Sequence, residues 1–176
     1  PELADGPPLL AVSGVIGLIV AARDGRIHRV TPRGQVIPMI NKASPIFTVA
    51  SDGAGRLAIG RDGRTDLYEE EGMRRLAGLL TPGPANALAF APDDRSLAVM
   101  LAENLLIGQP SQGYENHPVG GRGPLVFSAD GRWIAGADGK DGFWLLRRAD
   151  GQIGRIGNFR APPSARVFSK AADAVF

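Results

Sequence analysis

The chain has no cysteine and only two histidines, His28 and His117. A disulfide framework, a thiolate metal site and a His-rich centre are therefore excluded, and no metal or cofactor is expected. Aromatic residues make up only 6% of the sequence, and of 20 basic residues only Lys42, Lys140 and Lys170 are lysine. The arginine fork matches carboxylate and phosphate, but 18 acidic residues are interspersed with the basic ones and no basic block forms, so nucleic acid is not indicated. Long apolar runs are also missing. The most apolar stretch, Leu9 to Ala22, falls short of the roughly 20 residues that a membrane-spanning helix needs. It resembles a signal-peptide core, yet no basic segment precedes it. The first residue is Pro1, which points to a processed or trimmed start and leaves export open. A soluble protein is expected, its compartment unspecified.

What the chain has in quantity is turn formers. With 24 Gly and 14 Pro in 176 residues, about a fifth of the sequence favours tight turns, and every apolar run is cut by Gly, Pro or Asp-Gly. No 12-residue stretch sustains the i, i+3, i+4, i+7 apolar spacing of a helix. An all-β protein follows.

The strands recur. Val126-Phe127-Ser128-Ala129-Asp130-Gly131-Arg132-Trp133-Ile134-Ala135 aligns without a gap on Ala89 to Ala98, placing Phe90 under Phe127 and Leu97 under Ile134. Thr48 to Ala58 fits with one or two extra turn residues, and Val167 to Val175 fits in its apolar positions. The amino-terminal run is a further copy, with Val12 under Phe127 and Ile19 under Ile134, so it reads as repeat and not as leader. The second-strand anchors Ile19, Leu57, Leu97, Ile134 and Val175 are spaced by 38, 40, 37 and 41 residues. After the first, second and fourth anchors come a charged turn, such as Arg61-Asp62-Gly63-Arg64, and two further strands. The third repeat departs, with Glu103-Asn104 in place of Asp-Gly and a segment from Gln109 to Gly121 that reads as loop.

Four short strands per unit of roughly 40 residues is the arithmetic of a β-propeller blade, a small sheet that must stack on its neighbours to cover its faces. An immunoglobulin-like sandwich would give no reason for this return. The run Phe127 to Ala135, followed by Asp141-Gly142 and Phe143-Trp144-Leu145-Leu146, resembles a blade of the bacterial WD-repeat-like propellers. The resemblance spans nearly the whole chain and implies a blade, not an activity. The Gly-His pair of the strict WD pattern is absent, and Leu67-Tyr68-Glu69 or Leu145-Leu146-Arg147 stand where Trp-Asp would be expected.

The expected fold is thus a β-propeller of four-stranded antiparallel blades. After an extension over 1–8, blades are expected at about 9–41, 45–80, 85–119 and 123–159, with part of a fifth over 164–176. A half-blade leaves an unpaired edge, so completion by another segment of a longer chain, by a protein partner or by a second copy is expected.

No acid, base, nucleophile or metal set converges in the pattern. His28 and His117 read as structural or solvated, Trp133 and Trp144 as interblade packing, and the serines near the turns as turn hydrogen bonders. The loops joining second to third strands, and each blade to the next, gather on one face of a propeller. They carry Arg23, Lys42, Arg61, Arg122, Lys140 and Arg160, a basic rim suited to an acidic peptide or anionic ligand. Asp24, Asp62, Glu103, Asp138 and Asp141 lie beside them and offset the field. A noncatalytic interaction or scaffold module is the reading that follows. The alternatives are a self-assembling structural subunit joined through incomplete blades, and a fragment of a propeller enzyme with its active site outside this chain.

Overall fold

The structure is a computed structural model of the chain. It describes residues 10–14, 17–41, 44–93, 95–138 and 142–157, with side chains from residue 17 onward. Every regular element among them is a strand. The first sheet runs β1 (Leu10–Gly14), β2 (Gly17–Ala21), β3 (Ile27–Val30) and β4 (Val36–Ile40). The second runs β5 (Thr48–Ser51), β6 (Arg56–Arg61), β7 (Arg64–Glu69) and β8 (Arg75–Leu80). The third runs β9 (Ala87–Phe90), β10 (Leu97–Met100), β11 (Leu105–Gln109) and β12 (Gly113–His117). The fourth runs β13 (Leu125–Phe127), β14 (Trp133–Ala137), β15 (Phe143–Arg147) and β16 (Ile153–Ile156). Each is an antiparallel meander in chain order. The chain divides into two compact units, Pro1–Leu88 and Ala89–Phe176, with the boundary inside β9.

The register bears out the repeat alignment. Val12 pairs with Ile19, and Phe127 with Ile134. The anchors Ile19, Leu57, Leu97 and Ile134 are all buried. In the second repeat the partner of Leu57 is Ser51 and not Val49, which corrects the expected extra turn residues: the Asp52 amide donates to Arg56 O and leaves a three-residue turn over 53–55, one residue shorter than the turn over 129–132. Val175 and the whole of 164–176 lie outside the described residues. The expected loop from Gln109 to Gly121 is corrected: β12 forms there, pairing Gly108 with Tyr114 and Ile107 with Glu115. Its side chains are mostly exposed and polar, so main-chain bonds hold a strand that leaves no apolar alternation in the sequence.

In the first unit the two sheets share a core. Ile19, Ala21 and Ile27 of the first sheet pack with Val49, Leu57 and Ile59 of the second, and Ile46 of the linker joins them. Half-buried Met39, Ile40, Tyr68 and Met73 surround that cluster. Neither sheet could bury these faces alone, which is why the repeat has to stack.

The hairpin turns account for the Asp and Arg content. The Asp52 carboxylate accepts from the amides of Ala54 and Arg56, both at 2.8 Å, and from Arg56 Nε at 2.6 Å. Asp24 accepts from the Arg26 amide and Nε, and Asp150 from Arg147 and the Gln152 amide. Asp130 accepts from the Ser128 hydroxyl at 2.6 Å, from the Arg132 amide at 3.1 Å and from Arg132 Nε. The following glycines, Gly25, Gly53, Gly131 and Gly151, have φ of 96°, 67°, 69° and 69°, in the left-handed region that glycine adopts without strain.

The Ser128 hydroxyl, with the Arg132 guanidinium and amide, holds the Asp130 carboxyl down at about 2, against an ordinary 3.8. A carboxyl depressed on folding stabilises the fold fully above its unfolded value and loses that contribution as pH falls through the folded one. The stabilisation from this turn should therefore fade between pH 3.8 and about 2. The Arg132 amide resonance should titrate with a midpoint near 2, and a midpoint at 3.8 would contradict the turn geometry.

Candidate functional site

A meander of four strands puts its second turn and its exit at the same end of the sheet. In this chain the two are tied together by main-chain bonds. The Thr81 amide, leaving the second sheet, donates to Gly63 O in the β6–β7 turn at 3.0 Å. The Gly121 amide, leaving the third, donates to Leu101 O in the β10–β11 turn at 3.0 Å. The Ile46 amide, in the linker after the first sheet, donates to Arg23 O in the β2–β3 turn at 3.1 Å. The expected loop face is therefore a built surface within each unit.

The basic residues read from the sequence occupy it unequally. Arg23 and Arg122 are exposed, and neither has an ion-pair partner among the described residues. Arg61 is only 5% exposed. Its Nη1 donates to Ser44 O of the linker, and its Nε lies 3.9 Å from Asp66 Oδ2, so it belongs to a buried charged cluster and is not an open cation. Lys42, Lys140 and Arg160 lie outside the described residues, as does Asp141. Of the acidic neighbours, Asp24 is engaged by Arg26, Asp138 accepts from the Gly142 amide at 3.2 Å, and Asp62 and Glu103 are exposed.

Sequence reading did not single out Asp66 itself. Asp66 is fully buried and gathers three arginines: Arg64 Nη2 at 2.6 Å and Arg75 Nε at 2.8 Å, besides Arg61. The cross-strand register explains its place. Ile59 faces Asp66 across β6–β7, two pairs beyond Leu57–Tyr68. In the fourth sheet Gly136 faces Trp144, likewise two pairs beyond Ile134–Leu146. Asp66 and Trp144 are thus equivalent positions of two repeats. Trp144 is 1% exposed, and its indole N–H donates to Gly120 O, the linker carbonyl equivalent to Ser44 O. One repeat satisfies that carbonyl with an indole and the other with an arginine held by an aspartate. The only sequence signal was a charged residue within a strand, two positions after a turn.

The second unit also has an open cleft of about 640 Å³, lined among others by Asp93, Gln109, Tyr114, His117, Arg132 and Arg148. Arg148 Nη1 bridges Asp93, at 3.2 Å, to Gly131 O, at 2.9 Å, and its guanidinium lies over the Phe127 ring. His117 Nε2 stands 3.8 Å from Glu115, beyond hydrogen-bond reach. His28 is on β3, in the other unit. Among the described residues no cluster of three or more His, Asp or Glu is placed to hold a metal, and no helix is long and apolar enough to cross a membrane.

The sequence matches no protein-family model and no curated protein. Solved structures are similar. The β-propeller domain of Cps50 (Swd1) from Myceliophteria thermophila superposes with a TM-score of 0.79 at 10% identity, over 98% of this chain and 62% of that one. Hydrazine synthase from Kuenenia stuttgartiensis gives 0.79 at 11% identity, over 96% of this chain and 54% of that one. At such identity the likeness concerns fold alone, and the fold is a β-propeller's. The chain spans less than two thirds of the length of either structure.

Proposed function

We propose that the chain is a noncatalytic interaction or scaffold module, a divergent relative of the bacterial WD-repeat-like propellers, whose open end is completed by another protein segment or by a second copy. The observation that carries this reading is the face of turns and linkers. Its backbone is tied down in the first three sheets, while Arg23 and Arg122 stand exposed on it. Rigid turns presenting a few uncommitted cations suit recognition of an acidic protein surface better than chemistry, which needs a convergent acid, base or nucleophile. Lys42, Lys140 and Arg160 extend the same rim in the proposal, and Arg61 supports it from beneath. Residues 9–176 are taken as one propeller-forming region, with 164–176 opening the next blade.

Light scattering coupled to size-exclusion chromatography tests the reading. An assembly of defined mass above the 18.5 kDa of one chain is expected, weakened by Arg23→Ser with Arg122→Ser at an unchanged melting temperature. A protease-resistant monomer would overturn it. A mass that grows with concentration would favour the self-assembling subunit, since contacts that do not close build filaments. The likeness to hydrazine synthase keeps the enzyme-fragment reading as the second one. A stoichiometric metal ion in the purified protein would favour it.

A further inference from the structure

The Asp66 cluster holds more positive charge than its own acid can neutralise. Arg61, Arg64 and Arg75 surround one buried carboxylate, and Asp62 in the adjoining turn offsets only one of the two remaining charges. The Arg64 and Arg75 side chains are 45% and 53% exposed. Arg64 directs Nε and Nη2 to Asp66, and Arg75 directs Nε. Each guanidinium carries five N–H donors, so donors on both are left for solvent or a ligand.

Their setting is apolar on one side. Leu80 pairs directly with Arg64 across β7–β8, which puts both side chains on the same face, and it is 84% exposed. Two residues before Leu80 on β8 lies Gly78, opposite Asp66, and Arg75 crosses it: a Cβ there would meet Arg75 Nη2 at 2.0 Å. The glycine is the gap through which Arg75 reaches the buried acid. In addition β8 is the outer strand of its sheet, with one edge of main-chain donors and acceptors unpaired by that sheet.

We propose that Arg64, Arg75 and Leu80 form a docking site for an acidic segment of a partner protein. An Asp or Glu carboxylate of that segment binds the outward donors of the two guanidinium groups, and an adjacent apolar side chain covers Leu80. Charge complementarity fixes the sign of the partner, and the exposed leucine selects a peptide over a bare anion. Asp66 keeps the two forks aligned before the partner arrives, which lowers the ordering cost of binding. This site is separate from the Arg23 and Arg122 rim and stands without it.

The test is fluorescence anisotropy on the intact chain, with a labelled Glu-rich peptide of about ten residues containing one Leu and a Lys-rich counterpart. The acidic peptide should bind and the basic one should not. Arg64→Gln with Arg75→Gln should weaken binding about tenfold or more. Leu80→Asp, at an exposed position that leaves the melting temperature unchanged, should do the same by placing a competing carboxylate beside Arg64. Arg23→Ser with Arg122→Ser should leave this affinity intact, so failure of the rim and failure of this site are distinguishable. Equal affinity for the two peptides, or full affinity in Leu80→Asp, would overturn the proposal. So would complete displacement by inorganic phosphate together with no effect of Leu80→Ser, because the site would then recognise a simple anion.

Discussion

Trp144→Ala is expected to lower the unfolding free energy by about 3–5 kcal/mol, the range for truncating a buried large aromatic. Trp144 is 1% exposed and lies against Gly136, where a Cβ would come within 2.3 Å of its ring. The glycine is there because the indole fills its side-chain space. Two losses add in the variant. The ring volume becomes a cavity, and Gly120 O loses the indole N–H that donates to it at 3.1 Å. Trp144→Phe separates the two, since it keeps most of the packing but not the donor, and should cost clearly less. Urea unfolding followed by circular dichroism reads both. Loss below about 1 kcal/mol in Trp144→Ala would mean that the ring is not buried as described.

Asp66→Ala is the second large effect, about 3 kcal/mol, toward the lower end of what removing one partner of a buried ion pair costs. The figure is held down because Arg64 and Arg75 are half exposed and water can take over their charges. Arg61 has no such recourse, with a side chain 6% exposed. Without Asp66 its guanidinium would stay buried with only a neutral carbonyl, Ser44 O, to face. Asp66→Asn keeps the shape and loses the charge, so it should fall close to Asp66→Ala if the charge dominates. The same urea experiment decides this: an Asn variant as stable as the parent would show that shape alone matters at this position.

Trp144 and Asp66 also mark where sequence reading reaches and where it stops. Most strands, their order and the anchors Ile19, Leu57, Leu97 and Ile134 were legible, because burial inside stacked sheets imposes an apolar anchor on the second strand of each described repeat. The run from Leu9 to Ala22 could be assigned to strands β1 and β2 only because it matched that phase. Strand β12 was not legible. Its residues Gly113 to His117 bond through the backbone and expose most of their side chains, so nothing in their order marks them. The burial of Arg61 was hidden for another reason. In sequence it belongs to a charged turn, and its partners are a carbonyl 17 residues earlier and an acid that only the pairing of β6 with β7 brings beneath it. The proposed docking site likewise depends on pairs that the repeat pattern does not encode, which is why Arg64, Arg75 and Leu80 emerged from the structure.

The account rests on one register repeated in each repeat: the buried anchor of the second strand faces the same position of the third. Nuclear Overhauser contacts between backbone protons of cross-strand partners measure that register directly. Contacts are predicted for Ile19 with Arg29, Leu57 with Tyr68, Leu97 with Gly108 and Ile134 with Leu146. A shift of one residue in any of these pairs, or helical contacts along 133–147 in their place, would contradict it.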